Sequence, residues 1–151
     1  MALLGPSDQS RLRAEFEQLT RRVHLVFFTQ SFGCDTCLQT RQVLDELPAL
    51  SDKIVVDEVN LVLERDRAAK YGIDRVPAIA LAYETEDALP DDPPIDSRIR
   101  FLGTPAGYEF IALVQAVLLV GGRGSQLSAS SRQRLATVDK PVTMQVFTTP
   151  T

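Results

Sequence analysis

Two cysteines three positions apart, Cys34 and Cys37, stand between a strand-like run and a helix-like run. Val23 to Thr29 is rich in β-branched and aromatic residues and is apolar on both faces except at His24. Such a run fits an interior strand covered by helices on both sides. The short loop Gln30-Ser31-Phe32-Gly33 leads to Cys34, after which Cys37, Leu44 and Leu47 follow helical spacing until Pro48 stops the continuation. The thiol pair therefore sits where a strand feeds a helix, which restricts the chain to α/β architectures.

The rest of the chain extends this pattern. Leu12, Phe16 and Leu19 give a leading amphipathic helix with Ser7 as its expected N-cap. Ile54 to Asn60 reads as a second strand. A helix from about Val62 to Tyr71 follows, closed by Gly72 with Ile73 as the apolar follow-on. Strand, helix, strand, helix implies parallel pairing. Ala78 to Tyr83, introduced by Val76-Pro77, and Arg98 to Leu102 read as an antiparallel hairpin. Its connection carries Glu84, Glu86, Asp87, Asp91, Asp92 and Asp96 with three prolines and no basic residue, so a solvated, mobile loop is expected. Gly107 to Val120 predicts a nearly all-apolar helix that needs cover on most of its surface, a place for self-association or a second unit. A glycine-rich break, a short helix over Ser128 to Val138 and a β-like run over Val142 to Phe147 complete the chain.

Composition excludes several classes. Sixteen basic and twenty acidic side chains leave a net charge of −4, so no overall positive field holds a phosphate backbone and nucleic acid is not expected as a partner. Two thiols and one histidine fall short of a closed structural zinc site, and no metal is expected. Met1 to Leu4 is too short for an export signal, and the longest apolar stretch, Phe110 to Val120, is too short to span a bilayer. The reading is a cytoplasmic protein with no membrane partner, where a thiol pair is more often catalytic than structural.

At a helix start, Cys34 is the expected nucleophile, because the unpaired N–H groups there favour thiolate, and Cys37 one turn inward is the expected resolving thiol. No cofactor beyond this pair is implied. The strand–Cys34-x-x-Cys37–helix, Lys70-Tyr71-Gly72-Ile73 and Val76-Pro77 resemble the thioredoxin superfamily. That resemblance implies a thioredoxin-like α/β fold with a mixed sheet and a cis proline at Pro77. It also implies a substrate-binding surface of Phe32, Gly33, Val76 and Pro77, with Val76 pairing with a substrate chain. The leading helix, Arg100 to Phe110 and Val142 to Thr151 resemble the glutaredoxin-like protein disulfide oxidoreductases, which carry two tandem units. On that resemblance residues 1–139 form a thioredoxin-like unit, and 140–151 look like the first strand of a second unit. Protein disulfides are then the substrates, and a thioredoxin-reductase-like or other thiol donor supplies electrons. The rival reading is a non-catalytic docking module like the first unit of the peroxiredoxin-reducing flavoproteins, which lacks the cysteine pair.

Three further residues carry expectations. His24 reads as a buried, hydrogen-bonded structural histidine rather than half of a Cys–His pair. Glu58 shares strand parity with Ile54 and Val56, so a buried carboxylate that relays the Cys37 proton is expected there. Asp35, anionic beside Cys34, opposes thiolate formation and points to a reducing couple.

Overall fold

The strand before the cysteines is interior. In this computed structural model, which describes residues 4–149, β1 (Val23–Thr29) lies between β2 (Ile54–Asn60) and β3 (Ala78–Tyr83) in a four-stranded sheet of order β2-β1-β3-β4, with β4 (Ile95–Leu102) at the far edge. β1 and β2 run parallel, while β1–β3 and β3–β4 are antiparallel. The mixed α/β sheet and the limits of the first three strands agree with the sequence reading. Val23, Leu25 and Phe27 enter one apolar cluster, and Val26 and Phe28 enter the other, as the two-residue strand period requires. The larger cluster receives α1 (Pro6–Phe16), α2 (Cys37–Asp45) and α4 (Tyr108–Val120), while α3 (Arg65–Lys70) contributes Ala68 to the opposite face. α5 (Ala129–Ala136) buries none of its residues.

Several boundaries differ from expectation, each for a local reason. Ser7 is inside α1 rather than its cap. Gly5 is the N-cap and Pro6 takes the first turn, where its missing N–H costs no helical bond. α3 starts at Arg65 because the Asn60 side chain accepts from the Val62 and Leu63 N–H groups at 3.0 Å, holding 61–64 in a turn. Its C-terminus follows the glycine pattern: Ile73 N–H reaches the Ala68 carbonyl and Gly72 N–H that of Ala69, both at 3.0 Å. β4 begins three residues earlier than read, because alternation is broken by a bulge opposite Ala80–Ala82, with Arg98 at φ 65°. Ser97 Oγ fills the gap, donating to the Leu81 carbonyl at 2.6 Å and accepting from Ile99 N–H.

The acidic connection narrows to residues 84–94. Two of its six expected solvated acids are anchored: Glu84 bonds His24 and Asp96 bonds Arg100. The β-like run over Val142 to Phe147 forms no strand and is exposed throughout, since a strand needs a neighbour to satisfy its N–H and C=O groups. The apolar start Met1–Leu3 and the last two residues of the tail, Pro150 and Thr151, lie outside the described residues. Among the described residues no helix is long and apolar enough to cross a membrane.

Candidate redox site

The parallel β1–β2 pair and the antiparallel β3 and β4 bring four chain segments to one end of the sheet. Phe28 is opposite Ala78, and Ala78 is opposite Leu102, so the loop after β1, the Val76–Pro77 segment before β3 and the Gly103–Thr104 turn after β4 converge there. The loop after β1 carries Cys34. Cys37 is the first residue of α2, with Thr36 as N-cap. Cys34 thus lies ahead of the cap rather than in the first turn, and the two sulfurs are joined as a disulfide with Cα atoms 5.5 Å apart. Cys34 is half-buried and Cys37 is 6% exposed. Cys34 and Val76 both pack against the core cluster that contains Cys37.

The Val76–Pro77 peptide bond is cis, as the family resemblance implied. Pro77 is buried and Val76 half-buried; among the described residues the Val76 backbone makes no hydrogen bond. Phe32 is 89% exposed and Gly33 is also at the surface. Leu38, in the first turn of α2, and Leu63, just after β2, are exposed apolar side chains on segments that leave the same sheet end.

Glu58 departs from expectation. It lies on the edge strand, is solvent-exposed, and forms an ion pair with Arg41 of α2. The burial on which a proton-relay role rested is absent, because parity identifies a face but not whether the edge of that face is covered. His24 is as read: its side chain is 12% exposed, and Nδ1 and Nε2 lie 2.6 Å from Asp57 Oδ2 and 2.7 Å from Glu84 Oε1. Both carboxylates accept only, so both ring nitrogens donate and the imidazole is protonated. The hydrogen bond to Asp57 raises the His24 pKa against the opposing effect of burial, with Glu84 adding to the rise. The same bond lowers that of Asp57.

Sequence reading missed Thr40, the one fully buried polar side chain among the described residues. Its hydroxyl lies 2.9 Å from the Thr36 carbonyl and 2.7 Å from Thr104 Oγ1. A threonine one turn after a cysteine carries no motif, and its partner is 64 positions away. Among the described residues no group of three His, Cys, Asp or Glu side chains could hold a metal ion.

Comparison with known proteins follows this geometry. No protein-family model matches the chain. A probable thioredoxin from Methanothermobacter thermautotrophicus is 30% identical over 93 residues, covering 61% of this chain and 92% of that protein. The chain belongs to the thioredoxin superfamily. This thioredoxin-superfamily chain is also 32% identical over 130 residues to the alkyl hydroperoxide reductase AhpF from Xanthomonas campestris pv. phaseoli, covering 84% of this chain and 20% of that protein. It therefore spans about a fifth of the length of that relative. Among solved structures, the NTD_N/C domain of alkylhydroperoxide reductase AhpF from Enterococcus faecalis matches with a TM-score of 0.76 and 27% identity, over 91% of this chain and 62% of that one. A protein disulfide oxidoreductase from Aeropyrum pernix shares the fold, with a TM-score of 0.68 at 19% identity over 88% of this chain and 54% of that one. The superfamily chain has a thioredoxin-like thiol–disulfide oxidoreductase fold with a Cys-x-x-Cys pair.

Proposed function

We propose that the chain is a protein-disulfide oxidoreductase working through its Cys34-Asp35-Thr36-Cys37 site. The observation that carries this reading is the asymmetry of the disulfide: Cys34 is accessible and Cys37 is 6% exposed. In the dithiol form, Cys34 thiolate attacks a substrate disulfide, forming a Cys34–substrate bond and expelling one substrate thiolate, which takes up a proton. Cys37 then loses its proton and attacks the Cys34 sulfur, closing the Cys34–Cys37 disulfide and releasing the second substrate thiolate. Two electrons pass to the substrate, and a thioredoxin-reductase-like or other dithiol donor returns them. The thiol pair is itself the redox group, and a cytoplasmic setting that keeps thiols reduced suits the cycle.

Exposed Phe32, Leu38 and Leu63 support a polypeptide rather than a small thiol as substrate, since they offer apolar contact around the sulfur. The unbonded Val76 backbone is suited to pair with an extended substrate segment, with Gly33 and Pro77 leaving room for its approach.

The similarity to alkyl hydroperoxide reductase AhpF favours a second reading, a docking unit within a hydroperoxide-reducing system that performs no exchange itself. On either reading residues 140–151 are the first strand of a further thioredoxin-like unit, with that unit or another copy covering Tyr108 and Ile111 of α4. Insulin reduction driven by dithiothreitol separates the two. Turnover by the wild-type chain and its loss in Cys34→Ser is the expected result; equal rates, or no turnover by either, support the docking unit.

A further inference from the structure

The turn after β4 touches both halves of the site with adjacent residues. Gly103 N–H donates to the Pro77 carbonyl at 2.9 Å. One residue on, Thr104 Oγ1 lies 2.7 Å from Thr40 Oγ1. The Thr36 carbonyl can only accept, and Thr40 Oγ1 lies 2.9 Å from it, so the single Thr40 proton goes there. Thr104 must then be the donor to Thr40. The chain of bonds is directed: Thr104 O–H to Thr40 Oγ, and Thr40 O–H to the Thr36 carbonyl, which also accepts Thr40 N–H at 2.9 Å. Thr36 is the residue before Cys37 and the N-cap of α2.

We propose that Gly103–Thr104 is a clamp that fixes the Val76–Pro77 segment relative to the dithiol helix, with Thr40 and Thr104 as positioning residues for protein substrates. The inference rests on the reading of Val76–Pro77 as the segment that pairs with substrate. A polypeptide laid along Val76 presents its disulfide to Cys34 only if the two segments keep their spacing, and small offsets in reacting geometry cost rate steeply. A small disulfide that does not pair along Val76 has no such requirement. Thr40 is 0% exposed, so a hydroxyl deprived of its partner there gains nothing from solvent.

The test is the ratio of two rates measured on the reduced full chain, with insulin and with 5,5′-dithiobis(2-nitrobenzoate). Thr104→Val removes the link between turn and helix while leaving the Thr40–Thr36 bond. It is expected to lower the insulin-to-small-disulfide ratio about tenfold, the scale of one buried hydrogen bond. Thr104→Ser restores it. Thr40→Val lowers the ratio similarly, and the double variant lowers it no further, because both changes break one chain of bonds. If Thr40→Val does not fold, the Thr104 pair decides alone. An unchanged ratio in Thr104→Val, or a fall not restored by serine, overturns the clamp. A wild-type chain inactive on both disulfides overturns the oxidoreductase reading, and the clamp with it.

Discussion

The chain has a single histidine, and its two carboxylate partners make its titration a readout of the native state. His24 on β1 faces Asp57 from β2 and Glu84 after β3, with Arg22 3.7 Å from Glu84 and Arg67 acting on Asp57 through its charge. A raised folded pKa means that the His24 contribution to stability is complete below the unfolded value of 6.5 and is lost as pH rises through the folded value. Asp57, with its pKa lowered, contributes above 3.8 and loses that contribution as pH falls through its folded value. The full contribution of the pair therefore lies between these two unfolded values. Urea unfolding is expected to give a wild-type midpoint that falls on the alkaline side of 6.5, while His24→Gln stays flat there; parallel curves would count against the assignment. Asp35 is exposed between the cysteines, and its charge opposes a Cys34 thiolate. Asp35→Asn is expected to shift the glutathione equilibrium toward the dithiol, and a wild-type potential near the roughly −120 mV of strong oxidants would contradict the reducing couple. The buried histidine was legible in the sequence because it interrupts an apolar strand, but its partners 33 and 60 positions away were not. Glu58 was misread for the complementary reason: its parity was correct, but β2 is an edge strand and Arg41 reaches it from α2.

At the scale of elements, strand limits were readable where composition and alternation change abruptly, as at Val23, Ile54 and Ala78. They were not readable where side chains substitute for ladder bonds, as Ser97 does in β4, or compete with a helix start, as Asn60 does before α3. Two glycines at helix ends separate conformation from space. Gly72, at φ 67°, has open room around an added Cβ, so Gly72→Ala is expected to cost about 1 kcal/mol through the left-handed backbone alone. Gly121 has an ordinary helical φ of −74°, but an added Cβ would come 2.1 Å from Leu19 Cδ2. Its carbonyl also receives Thr20 and Arg21 N–H, tying the end of α4 to the segment before β1. Gly121→Ala is therefore expected to cost about 1–3 kcal/mol by overpacking. Chemical denaturation ranks the two, and a milder effect at Gly121 would refute the packing account.

For the molecule as a whole, one covered sheet face and one lightly covered face direct every convergent loop to a single end. There the accessible sulfur, the cis proline segment and exposed apolar side chains meet. The Cys-x-x-Cys pair and Val76-Pro77 were legible in the sequence because each is a local motif. The Thr40–Thr104 link was not, since it exists only after the β4–α4 turn closes on α2. The central claim is that Cys34 attacks and Cys37 resolves. Intact-mass analysis of reduced single-cysteine variants mixed with a protein disulfide tests it most directly. Cys37→Ser is expected to accumulate a mixed disulfide at Cys34, while Cys34→Ser stays largely unmodified. Faster adduct formation at Cys37 than at Cys34, or no adduct on either, would contradict the account.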